Sequence, residues 1–168
     1  MNNRFIIFSI LASAALPSFA AVNVSDKDYA IKVPAWKAGA YEWPSAYPKC
    51  VRSDWSGHDR LVIDVTNLGD DGDQVGFYAA GPEGKMQNGL RRSFALPAWE
   101  TVRWEISLKY LPETVSPTNV TRLQFYSHKP QSINAVFSNM RILKPGEKAD
   151  APVTPAKLRE ELRRGRAG

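Results

Sequence analysis

Residues able to carry out chemistry are few and widely spaced in this chain. The two histidines, His58 and His128, lie in the segments SGHD and SHKP, and neither has a cysteine or second histidine at zinc-ligand spacing. A strained G-x-S-x-G turn, which would expose a nucleophilic serine, is missing. The single cysteine, Cys50, lies beside Lys49 and near Arg52, a setting that can lower a thiol pKa, although cysteines are more often buried. No pair of acids stands out for glycoside hydrolysis. The sequence therefore favours a non-catalytic protein.

Two glycine-containing segments resemble ion-binding loops only superficially. Residues 67–73, NLGDDGD, lack both the Asp/Asn spacing and the distant glutamate of an EF-hand loop, whereas Asp-Gly is common in turns. This segment therefore favours a hairpin turn over a calcium site. Residues 79–89, AAGPEGKMQNG, are not followed by a helix whose N-terminus could bind phosphate, and they predict a long loop between strands.

A first candidate binding group is aromatic. Residues 34–44, PAWKAGAYEWP, place Trp36, Tyr41 and Trp43 in a loop bounded by prolines. Aromatic rings stack on the apolar faces of sugar rings, while nearby charged groups can bond the hydroxyls. The alternative is that the three rings cap an open end of the fold, since large aromatic side chains are mostly buried.

A second candidate group occupies the polar positions of alternating segments. Its members combine phenol, guanidinium, carboxylate and amide groups, and they are Tyr78, Arg103, Glu105, Gln124 and Tyr126, with Asp64 as a neighbour if strand order permits. Such a set can stack on a sugar and hydrogen-bond it. The plainer alternative is an exposed sheet face with cross-strand pairing of the same groups.

The elements that must position these residues have a period of two. The clearest is ETVRWEISL (100–108), in which Val102, Trp104 and Ile106 alternate with polar residues. The other alternating segments are YAIKV (29–33), RLVIDVT (60–66), QVGFYA (74–79), RRSFAL (91–96), VTRLQFYS (120–127) and AVFSNMRIL (135–143). Alternation places one face on a core and one face in water, which is typical of antiparallel sheet. Seven such segments separated by turn residues predict an all-β, antiparallel two-sheet β-sandwich with Trp104 in its core.

The chain changes character at its C-terminal end. Residues 144–155, KPGEKADAPVTP, have the composition of a linker. After it, Thr154 can cap a short basic helix that Gly165 can end, with Leu158 and Leu162 four residues apart. Two leucines are too few to stabilise this helix alone. We therefore expect a β-sandwich domain in residues 21–144, followed by a linker and helix in 145–168 that form a frayed end or lead towards another domain.

The N-terminus predicts export. Residues 1–20, MNNRFIIFSILASAALPSFA, carry Arg4 as their only charge, an apolar stretch, and small residues before a cleavage site after Ala20. The apolar stretch of about 12 residues is shorter than the roughly 20 needed to span a bilayer. We therefore expect a secretory signal peptide, a secreted or periplasmic protein, and no membrane span after signal removal.

The charge pattern argues against a nucleic-acid partner. The 22 lysines and arginines exceed the 17 aspartates and glutamates and give a net charge of +5, but the two signs alternate along the chain. Phosphate-backbone binding needs several cations on one face.

The motif DWSGHDRLVIDVTNLGDD (54–71) resembles the galactose-binding-like jelly-roll modules attached to secreted glycoside hydrolases and related polysaccharide-degrading proteins. Those modules commonly open with Asp-Trp-Ser-Gly-Tyr-Asp, continue with a Leu-x-x-Asp-Val-x-Asn strand, and close with a strand like NMRIL (139–143). The resemblance covers about residues 36–143, and His58 stands where the family often has an aromatic residue. It implies a jelly roll that binds carbohydrate, often with one structural calcium. The nearest candidates for calcium ligands are Asp26, Asp28 and Asn139.

Two hypotheses about function follow. The first is an exported, non-catalytic carbohydrate-binding module, a truncated or stand-alone relative of the ancillary domain of a glycoside hydrolase, whose ligand is a polysaccharide or oligosaccharide. The alternative is an exported protein–protein interaction or structural β-sandwich module, whose partner is another exported protein and whose tail helix provides a contact.

Overall fold

The computed structural model describes residues 22–33, 45–70, 74–83, 89–127 and 133–167, which form two β-sheets and one short helix. In chain order the strands are β1 (Val22–Asn23), β2 (Tyr29–Val33), β3 (Ser45–Ala46), β4 (Arg60–Asn67), β5 (Gln74–Ala80), β6 (Leu90–Ala95), β7 (Thr101–Ser107), β8 (Arg122–Ser127) and β9 (Ile133–Leu143). Single 3-10 turns cover Leu108–Tyr110 and Ala156–Leu158, and helix α1 covers Arg159–Ala167. The predicted signal peptide, residues 1–20, lies outside the described residues. No helix within them is long and apolar enough to cross a membrane.

The strands form two antiparallel sheets. One has five strands in the order β1-β9-β4-β7, with β2 also paired to β9, and the other has four in the order β3-β8-β5-β6. Each of the seven alternating segments contains a strand, so the predicted two-sheet β-sandwich is confirmed. The predicted hairpin at residues 67–73 is wrong, because β4 and β5 belong to different sheets.

Aromatic side chains join the two sheets. Phe125 of β8 and Phe137 of β9 stack with their ring centroids 3.8 Å apart, and both side chains are fully buried. Trp104 of β7 stacks on Phe94 of β6 with ring centroids 4.3 Å apart. The predicted core position of Trp104 is therefore confirmed, and large-to-small changes at such residues cost about 3–5 kcal/mol.

The outer face of the five-stranded sheet is covered by the chain's own tail. Alternation predicts that Asp64 and Thr66 of β4 face water, yet both are 0% exposed. Leu158 and Leu162 of the tail pack against Leu68 and Val136 of this sheet. The tail is therefore neither frayed nor turned away from the sandwich, because its thin apolar stripe has a complementary surface.

Trp99 fixes the end of the tail. A Cβ atom on Gly165 would overlap the Trp99 ring, and Arg166 Nε donates to the Trp99 carbonyl over 2.7 Å. Gly165 therefore lies inside α1 and gives space to an aromatic ring, instead of ending the helix as predicted. Thr154 does not cap the helix either, because its hydroxyl lies 2.7 Å from that of Thr101 on β7.

Candidate functional site

The outer face of the four-stranded sheet gathers three of the predicted binding residues. Residues of β5 and β8 that alternate with the core residues Phe77 and Phe125 point away from the core. Across the strands, Gln124 lies opposite Tyr78, and Tyr78 lies opposite Arg91. In the next row, Tyr126 lies between Ser45 and Gly76. The outward positions of this face include Ser45, Gly76, Tyr78, Ala80, Arg91, Ser93, Arg122, Gln124 and Tyr126.

Glycines allow the two tyrosines to lie flat on this face. A Cβ atom on Gly76 would overlap the ring of Tyr126, and one on Gly89 would overlap the ring of Tyr78. Tyr78 is 1% exposed and Tyr126 is 9% exposed, so the two rings form a buried tyrosine floor on this side of the sheet. Burial raises the pKa of Tyr78, while the positive charges of Arg122 and Arg91 act in the opposite direction. At neutral pH the phenol is therefore uncharged and can donate or accept a hydrogen bond.

Gln124 is held in a defined orientation between the floor and the rim. Its Nε2 atom donates to Ser45 Oγ over 3.0 Å and to the Tyr47 hydroxyl over 3.3 Å. Tyr47 is 64% exposed, and thus offers an aromatic ring at the edge of the face. Both amide N–H groups are therefore used within the protein, which fixes the side chain and leaves its carbonyl oxygen as the atom that can accept from a ligand hydroxyl.

The rim of the face is polar and exposed. Lys49, Arg91, Ser93 and Arg122 are all exposed, and Lys49 is bridged directly opposite Arg122. Sequence reasoning missed these residues. The outward positions of Arg91 and Arg122 were available from the period-two pattern, since each lies two residues from another outward position. Strand β3 has only two residues, so no pattern indicated Ser45 or Tyr47.

Arg103 and Glu105 lie on the other side of the sandwich. Both belong to β7, which pairs with β4 in the five-stranded sheet, so the predicted polar set is divided between two faces. Arg103 Nε and Nη2 donate to the two carboxylate oxygens of Asp64 over 2.6 and 2.9 Å. Glu105 pairs with Arg60 over 3.2 Å. Alternation identifies outward residues but cannot assign a strand to a sheet, which is why sequence reasoning grouped them together.

The tail closes the Asp64–Arg103 pair. Asp64 Oδ2 also accepts from Asn139 Nδ2 over 2.7 Å and from the Val153 backbone N–H over 3.1 Å. Arg103 Nη2 donates in addition to the Ala151 carbonyl over 3.0 Å. The side chains of Arg103 and Asp64 are 6% and 0% exposed. Both charges are therefore used within the protein, and this pair stabilises the tail against the sheet.

The aromatic loop candidates Trp36, Tyr41 and Trp43 lie outside the described residues. Their roles as a sugar platform or as a cap therefore stay predictions.

The predicted calcium ligands surround one pocket but are engaged with protein groups. Asp26, Asp28 and Asn139 line an open pocket of about 200 Å³ together with Lys27. Asp26 accepts from the Tyr29 hydroxyl over 2.7 Å, and this hydrogen bond lowers the pKa of Asp26.

Asp28 of this pocket forms an ion pair with Lys157 over 3.4 Å, and the Asn139 amide donates to Asp64. Calcium takes six to eight oxygen ligands. In the part of the chain that the structure describes, no group of three His, Cys, Asp or Glu side chains assembles. Asp26, Asp28 and Asn139 therefore do not form a cage of acidic side chains, and their role as calcium ligands stays a prediction.

Cys50 and His58 are held by the backbone around them. Cys50 Sγ donates to the Val120 carbonyl over 3.2 Å, and burial raises the pKa of the thiol. The effect that Lys49 was expected to have on this pKa is therefore outweighed. His58 Nδ1 lies 2.9 Å from the Ser56 carbonyl, in the turn before β4.

The comparisons with known proteins identify the fold. The family 11 carbohydrate-binding module from Clostridium thermocellum, solved with a β-1,3-1,4-mixed-linked tetrasaccharide, is similar with a TM-score of 0.53 and 13% identity, over 79% of this chain and 96% of that chain. A family 30 carbohydrate-binding module has a TM-score of 0.51 and 13% identity, over 77% of this chain and 73% of that one. An exo-β-agarase has a TM-score of 0.52 and 11% identity, over 69% of this chain and 20% of the agarase.

No protein-family model matches the sequence, and no curated protein is significantly similar to it. The similar structures are nevertheless carbohydrate-binding modules or polysaccharide-degrading enzymes. The protein therefore has the jelly-roll fold of carbohydrate-binding modules.

Proposed function

We propose that this protein is an exported, non-catalytic carbohydrate-binding module whose ligand lies on the outer face of the four-stranded sheet. The observation that carries the proposal is the exposed Tyr47 ring beside the anchored Gln124 amide, at the edge of this face. Tyr78 and Tyr126 lie over glycines, and Gln124 is held by Ser45 and Tyr47.

The chemistry of this face suits a sugar. Saccharides offer both an apolar ring face and many hydroxyls, so a site for them needs aromatic rings beside neutral hydrogen-bonding groups. Tyr47 supplies an exposed ring, and Ser93 supplies an exposed hydroxyl on the opposite rim. The solved family 11 module of the same fold was captured with a tetrasaccharide, which supports the same ligand class here.

Affinity should be modest. Much of the face lies in a floor that is already buried, so a ligand gains contacts mainly at the rim. The free energy gained from these contacts then exceeds the cost of ordering the ligand by only a small amount.

Binding is tested by affinity electrophoresis of the full mature chain in gels that contain neutral or charged polysaccharides. We expect retardation by at least one polymer, and Tyr47→Ala should weaken that binding about tenfold, which corresponds to about 1.4 kcal/mol. The matched control is Tyr110→Ala, since Tyr110 is also exposed, at 53%, but follows β7 of the other sheet. Equal retardation of the two variants would contradict the proposed face, and a lack of retardation by any polymer would contradict the function.

The remaining parts of the proposal have separate tests. Export predicts that the expressed chain is recovered outside the cytoplasm in cleaved form, and that deletion of residues 2–20 keeps it inside. The proposed lack of catalysis predicts that purified protein releases no chromophore from aryl glycosides and no reducing ends from a polymer that it binds. Turnover that purifies with the protein would contradict it.

A further inference from the structure

A small polar pocket lies between strand β9 and the segment that joins β1 to β2. It measures about 200 Å³, and its lining consists of Asn23, Ser25, residues 26–28 (DKD), Asn139 and Met140. Six of these seven residues are polar. Sites for drug-sized ligands measure about 300–1,000 Å³ and are mostly apolar. The pocket therefore suits one small polar molecule, such as a single sugar residue, rather than a chain of them.

The charges around this pocket are balanced. Asp28 forms an ion pair with a lysine of the tail over 3.4 Å. The Tyr29 hydroxyl lowers the pKa of Asp26, and the charges of Lys27 and Lys49 act in the same direction, so both cations lie within electrostatic range of this carboxylate. An added cation would be repelled by the ammonium groups, and an added anion by the two carboxylates. The balance of charge therefore favours a neutral ligand.

The groups of the pocket that stay available are mainly hydrogen-bond acceptors. Asp26 accepts from Tyr29 with Oδ1, and Asp28 uses Oδ2 in its ion pair, so each keeps one oxygen that accepts from no other described residue. Asn139 donates through Nδ2, and its Oδ1 accepts from none of the described residues. The Asn23 side chain makes no hydrogen bond in the described part of the chain. A matching ligand must therefore donate several hydrogen bonds.

Sugar hydroxyls meet this requirement, because each donates one hydrogen bond and can accept others. The donors for the second role are the Asn23 amide and Lys27 Nζ, which packs over the Tyr29 ring at 5.4 Å from its centroid. We infer that this pocket is a second saccharide site, which binds one neutral sugar residue through its hydroxyl groups.

The second site extends the proposed function and is separate from the proposed face. The Lys49 backbone N–H donates to the Tyr29 hydroxyl over 2.8 Å, and this hydroxyl donates to Asp26 over 2.7 Å. Because Lys49 lies two residues from Tyr47, the pocket adjoins the segment that forms the edge of the proposed face. Neither Tyr47 nor Gln124 lines the pocket. The two sites can therefore be tested separately.

The inference is tested by NMR titration of the isotope-labelled mature chain. The probes are the methyl glycosides of glucose, galactose, mannose and xylose, and glycerol serves as a polyol without a sugar ring. We expect at least one glycoside to shift the backbone amide signals of residues 23–28 and 139–140 saturably, whereas glycerol does not. A chelator should leave these shifts unchanged, because the hydroxyls bind side chains directly.

Matched variants locate the effect. Asn23→Ala and Lys27→Met should each weaken binding of that glycoside by about three- to tenfold, the range expected for loss of one hydrogen bond. Asn119→Ala removes the same amide from an exposed position before β8, outside the pocket lining, and should leave binding unchanged. The amide spectra also show whether each variant is folded.

Failure of the inference is distinguishable from failure of the proposed function. If no glycoside shifts the pocket signals, or if calcium alone does so, the second site is wrong while the proposed face is judged by Tyr47→Ala. If glycerol saturates the same signals as tightly as the glycosides, the sugar class is wrong. If Asn119→Ala weakens binding as much as Asn23→Ala does, the binding is not at the pocket and the inference is again overturned. If the pocket binds a glycoside but no polymer is retarded, the second site stands and the proposed face fails.

Discussion

The buried Asp64–Arg103 pair offers the sharpest test of how the tail and sandwich are held together. Asp64 is 0% exposed, and its carboxylate accepts hydrogen bonds from Arg103, Asn139 and Val153. Asp64→Ala would leave the Arg103 guanidinium buried without its counter-charge, with its side chain only 6% exposed. Breaking a buried pair in this way costs about 3–5 kcal/mol. We expect a loss of that size from a total stability that is typically about 5–15 kcal/mol.

The matched control is one outward position further along β7. Glu105 pairs with Arg60 over 3.2 Å, but its side chain is 47% exposed, so solvent screens the pair. Glu105→Ala is therefore expected to cost about 0–1 kcal/mol. The assay is urea unfolding followed by tryptophan fluorescence. If Asp64→Ala and Glu105→Ala lower the free energy of unfolding by amounts that agree within 1 kcal/mol, the buried pair does not stabilise the fold as argued here.

A double-mutant cycle separates the pair from its surroundings. Asp64→Ala and Arg103→Ala together should be less destabilising than the sum of the two single changes, with a coupling energy of about 1–3 kcal/mol. Because Ala151 and Val153 bond directly to the pair, Asp64→Ala should also release the tail. Limited proteolysis should then cut the linker, residues 144–155, faster than in the Glu105→Ala protein. Unchanged cleavage would indicate that the leucine contacts alone hold the tail.

Three further predictions concern the tail, the floor and the pocket near the N-terminus. Gly165→Ala should lower the free energy of unfolding, measured in urea, by about 1–3 kcal/mol, because its Cβ atom would overlap Trp99. The same change stabilises an ordinary exposed helix by about 1 kcal/mol. If Gly165→Ala stabilises this protein, the Trp99 ring does not pack against Gly165. The pKa of Tyr78 is raised from 10.0 in the folded state, so its contribution to stability is fully present below pH 10.0 and is lost as pH rises through the folded pKa. The unfolding midpoint should accordingly fall more steeply above that pH than in Tyr78→Phe, and parallel curves would contradict the stated burial. Since Asp28 is paired with Lys157, a chelator should leave the midpoint of thermal unfolding unchanged. If the chelator lowers the midpoint by several degrees and added calcium reverses the change, the pocket beside Asp28 binds the ion.

The alternation of polar and apolar residues was sufficient to predict which side chains form the core. Trp104 and Phe125 were predicted to point inward because side chains of a strand alternate between two faces, whatever the strand pairs with. Both are buried, at 3% and 0% exposure. The same rule marked Tyr78, Gln124 and Tyr126 as outward, and these three do share one face.

Tertiary structure decided which outward residues meet. Arg103 and Glu105 satisfied the same local rule as Tyr126, yet the pairing of β7 with β4 places them across the sandwich from it. Sheet membership depends on contacts between residues far apart in the chain, and a pattern of period two contains no information about them. The hairpin between β4 and β5 was wrongly predicted for the same reason, since these strands belong to different sheets.

The sequence by itself thus determined that strands form, which of their side chains face the core, and which side chains point to the opposite face of each sheet. Only the tertiary structure decided that one outer face is covered by residues 151–167 while the other carries the buried tyrosine floor with its polar rim. The physical reason is that alternation is enforced by backbone geometry at each residue. Covering a face depends instead on a distant segment finding complementary partners, as Leu158 and Leu162 find Leu68 and Val136.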